Sequence, residues 1–382
     1  MHIAFVSTYD ARDPSLWAGT TFHMWRALEA QGIKIEHINP LREHGRLGLR
    51  IVQELYARIG RRAFHRDREA IVINGYAKQI AAALKRSSAE IVFCAGSIAI
   101  SQLNTDRPIV FWTDATYQSM LDSYKWELPV SKRSHRLGNM QEKSALSRAA
   151  LAIYSSDWAA KYAIEHLGTD PAKVKVVPFG ANISESRTLD DAKRLIDRRV
   201  RDRQQGDMCR LLFIGTGWQR KGGDVAVDVA RRLNERGVKT ELTVLGSDAP
   251  GDLPAFVKVV GFLDKRTPQG RQQFDELFGS SHFLMLPARA EAYGIVLCEA
   301  CSFAVSCVAS RVGGISTIVQ EGVNGALFAP DDSIAIADRI ESLTRDQKAY
   351  DRLAVSAFCE YKARLNWESA ARTVKSLLLP LR

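Results

Sequence analysis

The chain has 382 residues, 46% hydrophobic and 25% charged, a globular composition too long for one ordinary core, so two α/β domains are expected. Its formal net charge of +10 favours anionic partners: nucleotide phosphates, acidic membrane surfaces or nucleic acid. No apolar run reaches the roughly twenty residues of a membrane span. The first seven residues are too short a run for a signal peptide, so a cytoplasmic location is expected.

Along the chain, residues 3–7 read as a strand and the loop from Ser7 to Thr21 carries Trp17-Ala18-Gly19-Thr20-Thr21. Gly19 would let backbone approach a diphosphate closely. The plainer alternative is a helix-start turn with Thr20 or Thr21 as N-cap, and both can hold at once. A helix over 21–31, ended by Gly32, leads to a strand at 33–38.

Residues 42–68 are dense in arginine, with Leu47, Leu49, Ile51, Leu55, Ile59 and Phe64 interspersed. A basic amphipathic segment of this kind suits an anionic membrane surface or an acidic acceptor. The alternative is a solvated helix face. Strands follow at 91–94, 109–112, 151–154 and 174–177, short, continuous and apolar as buried parallel strands are. Asp114, just beyond the 109–112 strand, points toward a ligand cleft or else caps the next helix.

The rhythm pauses in a charged segment at 190–207 and resumes with strands at 211–215, 241–245, 257–260, 283–286, 305–308 and 326–328. Two βαβ arrays imply two Rossmann-like, doubly wound domains facing a cleft. The boundaries are 1–190 for the N-terminal domain, 191–207 for a linker and 208–362 for the C-terminal domain. Residues 363–382 form a terminal helix packing back toward the first domain.

The most informative stretch is Leu286 to Ala300, in which a strand ends at Pro287, a loop carries Glu291, and Gly294 precedes an apolar helical run containing Glu299. The strand, glycine-bearing loop and helix start make an anion site at Tyr293-Gly294-Ile295, where backbone N–H groups and the helix dipole meet the ligand. In a continuous helix the two glutamate backbones would lie about 12 Å apart, against roughly 5–5.5 Å between the carboxyl groups of a retaining glycosidase. The spacing suits two ends of one extended ligand instead. A bland reading makes both glutamates ordinary surface residues.

This segment resembles the E-x7-E signature of family 4 retaining glycosyltransferases, whose fold is GT-B. The stretch Phe213-Ile214-Gly215-Thr216-Gly217-Trp218-Gln219-Arg220-Lys221-Gly222-Gly223 resembles that family's phosphate-clamping strand and loop. Val312-Gly313-Gly314-Ile315 and Glu321-Gly322-Val323-Asn324-Gly325 look like its following loop and turn. Ser155-Ser156-Asp157-Trp158 and Val177-Pro178-Phe179-Gly180-Ala181-Asn182 look like the closing strands of its first domain.

The resemblance implies that Glu291 binds the transferred sugar, Glu299 the ribose and Lys221 the diphosphate, with Phe262 near the base. Many relatives place an arginine where this chain has Thr216, and Arg220 is the candidate replacement. Many also place a sugar-contacting histidine after the fourth strand, where this chain has Asp114.

The implied reaction moves a hexose from a UDP- or GDP-sugar, bound as substrate with no cofactor, to a glycan, lipid-linked or small-molecule acceptor. It proceeds with retention and without a metal, since no DxD pair or histidine ligand spacing occurs. Alternatives are an epimerase or phosphorylase on the same fold, or a basic nucleic-acid-binding protein. The last has only charge in its favour. Cys298 and Cys301 form a CxxC with no second pair, and read as core filler.

Overall fold

The computed structural model describes residues 1–124, 128–183, 187–206, 208–247 and 249–381. The chain divides into two units, Met1–Pro178 with Ala370–Arg382, and Phe179–Ser369.

Unit 1 is built on β1 (His2–Val6), β2 (Lys34–Ile38), β3 (Ile91–Ala95), β4 (Ile109–Thr113), β5 (Ala149–Tyr154) and β6 (Val174–Val176). They form one parallel sheet in the order β2-β1-β3-β4-β5-β6. The central strands are apolar and buried on both faces, as the continuous runs require. The strand order reverses beside β1, so the loops leaving β1 and β3 open at a topological switch point.

The helix Thr20–Ala30 starts there, and its N-cap is Gly19 at φ +85°, with no side-chain capping bond. Neither Thr20 nor Thr21 is the N-cap, because Gly19 already occupies the turn. Thr21 Oγ1 instead pairs with the Tyr9 hydroxyl at 2.7 Å. Trp17 and Ala18 also have positive φ, a conformation costing about 1–3 kcal/mol per non-glycine residue. After β4 the next helix, Tyr117–Ser123, is capped by Thr116 through a reciprocal bond with Ser119. Asp114 is therefore not the cap.

The basic segment forms the helix Arg46–Arg58, of which no residue is buried. Leu47, Ile51, Leu55 and Ile59 are 80%, 64%, 51% and 78% exposed.

Unit 2 contains β7 (Cys209–Ile214), β8 (Thr240–Leu245), β9 (Val257–Gly261), β10 (Phe283–Leu286), β11 (Ser306–Ser310) and β12 (Gly325–Phe328). All are parallel, in the order β12-β11-β10-β7-β8-β9. Here the order reverses between β7 and β10, so their carboxyl-end loops face one another.

The expected linker at 191–207 is different: Leu189–Gly206 is a helix of unit 2, and the chain changes unit at Pro178/Phe179. Ala192, Ile196 and Arg199 are its inward face. The Arg199 guanidinium is fully buried, donating to the carbonyls of Phe303 at 2.6 Å and Ala304 at 2.8 Å. It thereby satisfies groups at the carboxyl end of the helix Ile295–Ser302. At the other end of the chain, the helix Trp367–Leu378 enters unit 1 from Ala370 onward. There Lys375 Nζ donates to the Gln31 carbonyl at 2.6 Å.

Candidate active site

The loop after β7 folds over itself at Gly215. The stem of Lys221 passes so close that a Cβ on Gly215 would lie 3.1 Å from its methylenes. Lys221 ends the short helix Trp218–Lys221, and Gly222, at φ +76°, turns the chain into the helix Gly223–Glu235. A Cβ at Gly222 would overlap the Pro287 carbonyl at the end of β10. Glycine here is what lets the two switch-point loops touch.

From this loop Lys221 Nζ donates to Glu291 Oε2. Arg220 Nη1 lies 3.5 Å from the same oxygen and donates to the Ala290 carbonyl at 3.0 Å, while Nη2 donates to the Thr216 carbonyl at 3.2 Å. The guanidinium thus reaches back to the position where the sequence lacks an arginine. Glu291 is 8% exposed, and two cations face its carboxylate.

Its loop is held from both sides. Arg289 makes a forked pair with Asp224 at 2.9 and 2.7 Å and meets Asp331 at 2.6 Å. Arg289 N–H also donates to the Arg220 carbonyl at 2.8 Å. Gly313, at φ +51°, passes against the Glu291 carbonyl where a Cβ would overlap it. Next to it, Gly314 N–H donates to the Ala292 carbonyl at 3.1 Å.

Gly294 is left-handed at φ +88° and is the N-cap of the helix Ile295–Ser302, with no side-chain capping bond. The first amides of that helix, from Ile295 on, are the groups a helix presents to an anion. At Tyr293 the backbone is the part expected to meet the ligand. Its side chain is buried, with its hydroxyl donating to the Phe179 carbonyl at 2.8 Å and its ring edge-on to Phe179. Only its backbone remains for a ligand.

Glu299 lies on the inward side of that helix, 4% exposed, and its Oε1 accepts from Lys265 Nζ at 2.9 Å. Burial pushes its pKa up, and the Lys265 ammonium opposes the shift. Glu291 and Glu299 therefore answer to different cations, and the structure does not pair them with each other. Phe262, just past β9, is 69% exposed. Gly19 and Asp114 belong to unit 1. There Tyr9, whose pKa is raised chiefly by burial, also feels the Asp114 charge.

Sequence reasoning missed Lys265 and Arg289. Lys265 lies outside the motifs and Arg289 only precedes the two glutamates in theirs, and both acquire meaning only from partners far along the chain. The cysteines Cys298, Cys301 and Cys307 are buried free thiols. Among the described residues, no three His, Cys, Asp or Glu side chains gather as metal ligands.

Residues 209–346 match the family model for glycosyl transferases group 1, and residues 19–185 match that for glycosyltransferase family 4. The chain belongs to the family 4 glycosyltransferases. Its relatives include the D-inositol 3-phosphate glycosyltransferase of Corynebacterium diphtheriae, 23% identical over 66% of this chain and 65% of that one. Another is the enzyme of the same name from Nocardiopsis dassonvillei, 27% identical over 62% of this chain and 56% of that one. The match thus spans less than two thirds of these relatives' length.

Among solved structures, sucrose-phosphate synthase from Thermosynechococcus elongatus superposes with a TM-score of 0.70 at 16% identity, covering 100% of this chain and 99% of that one. Anabaena HepE in complex with UDP and glucose gives 0.64 at 17% identity, covering 98% of both chains. At these identities the likeness establishes the GT-B fold of this family 4 glycosyltransferase.

Proposed function

We propose that the chain transfers a hexose from a UDP- or GDP-sugar to a glycan, lipid-linked or small-molecule acceptor, with retention and without a metal ion. The observation that carries this reading is the pair of cations, Lys221 and Arg220, gathered on Glu291 where the switch-point loops of unit 2 meet. A bound diphosphate takes over the cations and leaves Glu291 to accept hydrogen bonds from the sugar hydroxyls. The uncapped helix start at Gly294 supplies backbone donors to the same phosphates.

In the reaction, the bond between the anomeric carbon and the diphosphate oxygen breaks while an acceptor oxygen bonds to that carbon from the same face. The acceptor proton passes to the departing phosphate. Negative charge grows on the diphosphate as the bond stretches, and Lys221 and Arg220 are placed to meet it. Each such charge-assisted bond contributes about 1.5–3 kcal/mol. The glutamates support the reading by geometry too, since each is held apart by its own cation rather than poised as an acid–nucleophile pair. Asp114, in unit 1, is assigned to donor or acceptor hydroxyls.

UDP is the first donor base to test, because HepE is described with UDP and glucose. A phosphorylated polyol belongs among the acceptors to test, given the names of the curated relatives. Peripheral contact with an anionic membrane through residues 42–68 belongs to the same reading.

The test uses an α-linked nucleotide sugar and a protein stripped by EDTA. Proton NMR of the product is expected to show an α-linkage, with turnover unchanged by added magnesium or manganese. A β-linked product defeats retention, and activity lost to EDTA and restored by metal defeats metal independence.

A further inference from the structure

Lys265 has no place in the motifs that identify the family, yet it makes the one charged contact the structure gives Glu299 among the described residues. It sits in the turn between β9 and the helix Pro268–Ser280, three positions beyond the exposed Phe262. Its Nζ donates to Glu299 Oε1 at 2.9 Å and to the Asn182 carbonyl at 3.3 Å, and stands 4.7 Å from the centre of the Phe274 ring. Asn182 is itself fixed, accepting at Oδ1 from the Trp367 indole at 2.8 Å. Three elements of unit 2 thus hold the ammonium in one position, although its side chain is still 39% exposed.

We infer that Lys265 is a positioning residue for the donor's ribose: it keeps the buried Glu299 carboxylate ionised and turned so that its second oxygen can accept from the ribose hydroxyls. This inference rests on the donor-site reading above and adds to it a residue that touches Glu299 rather than the nucleotide.

A carboxylate 4% exposed is costly to keep charged unless a partner compensates. The groups around Glu299 leave that task to Lys265. Cys298, its neighbour on the helix, is a thiol that burial keeps protonated. Ser302 Oγ donates to the Glu299 backbone carbonyl at 2.6 Å and not to its carboxylate. An ionised carboxylate is acceptor-only, with room for a cation and a ligand together, whereas the protonated form gives one oxygen over to donating. Two ribose hydroxyls acting as donors need the ionised form.

The sign of the pH dependence follows. Burial already raises the Glu299 pKa, and removing Lys265 takes away the charge that opposes the rise. The ionised, ribose-binding form is then lost progressively as pH falls toward that raised value.

The experiment is calorimetry of nucleoside diphosphate binding to the full chain at pH 6 and pH 8, using UDP and GDP. It compares the wild type with Lys265→Met, Lys265→Arg, Glu299→Gln and Lys265→Met/Glu299→Gln. Methionine keeps an apolar stem against Phe274 and removes the charge. Lys265→Met is expected to bind about tenfold more weakly at pH 8, the size of one lost charge-assisted bond, and more weakly still at pH 6. Lys265→Arg should restore most of the affinity. Glu299→Gln should be weak at both pH values, and the double variant no weaker than Glu299→Gln alone.

Lys265→Met matching wild type in affinity and pH dependence overturns the inference while leaving the donor site standing. A pH-independent loss that adds to that of Glu299→Gln also overturns it, since Lys265 would then act without the carboxylate. Wild type that binds neither diphosphate overturns the donor-site reading and this inference with it.

Discussion

Glu291 and Glu299 stand eight positions apart in the sequence but keep different company, and their substitution by glutamine should separate them. Glu291 shares an oxygen with two cations at the switch point, where the reacting sugar is proposed to lie. Its loss should lower kcat by roughly ten- to a hundredfold and leave diphosphate binding largely intact. Glu299→Gln should raise KM and weaken diphosphate binding, because a ribose contact is made equally in ground and transition states. Steady-state kinetics beside calorimetry of the free diphosphate checks both, and equal loss of diphosphate binding in the two variants defeats the two-ended arrangement. Lys221→Ala should reduce kcat/KM by about tenfold to a few hundredfold. Its side chain is only 12% exposed. Its removal leaves Glu291 to Arg220 alone, so a stability loss of about 1–3 kcal/mol is expected in denaturant titration. The sequence singles out these three residues because each sits in a spaced motif. The side chain of Tyr293 is a different case, since nothing local reveals that its hydroxyl is used up on the Phe179 carbonyl.

The strands were readable because buried parallel strands are short apolar runs, and the Phe283–Leu286 segment is a strand over just the residues its apolarity marks. The helix Leu189–Gly206 was not, because its inward face includes an arginine. Read as chemistry, Arg199 is a solvated charge; in the fold it supplies hydrogen bonds to the carbonyls of Phe303 and Ala304. Its binding value came from a helix end more than a hundred positions away, which no local pattern displays. The same dependence on distant backbone makes Gly313 a test of the site's architecture. At φ +51° its Cα faces the Glu291 carbonyl with no room for a methyl group. Gly313→Ala should push the Glu291 loop off its position and lower kcat by at least about tenfold, although no side chain of the site is altered. Strain of this kind costs about 1–3 kcal/mol, so a lower melting temperature should accompany it. Normal kinetics in a normally folded Gly313→Ala protein would show that the loop position does not matter to catalysis.

At the scale of the whole molecule, the net charge of +10 favours anionic partners, and the membrane contact proposed for this chain uses the helix Arg46–Arg58. Leu47, Ile51, Leu55 and Ile59 repeat every fourth position and are all exposed. Arg46, Arg50 and Arg58 repeat along the adjacent line of the helix, with Glu54 paired to Arg58 at 3.1 Å. An apolar stripe beside a basic one suits a helix lying in the membrane interface, with arginine stems snorkelling toward phosphate headgroups. No helix among the described residues is long and apolar enough to cross a membrane, so the proposed contact is peripheral. Each basic residue near an anionic bilayer contributes about 1 kcal/mol, and salt screens that attraction. Vesicle sedimentation should therefore show binding to phosphatidylserine-containing but not to neutral vesicles, weakening as salt rises. The apolar stripe supplies the second half of the interaction, since fully burying one such side chain is worth about 1.5–3 kcal/mol. Leu47→Ser with Ile51→Ser should then reduce partitioning by roughly a hundredfold while leaving turnover on a water-soluble acceptor unchanged, because neither residue has a role in the donor site. Equal binding to anionic and neutral vesicles, or binding unaffected by the two serines, would make the exposed face a solvated one and leave the charge of the chain to the proposed nucleotide donor alone.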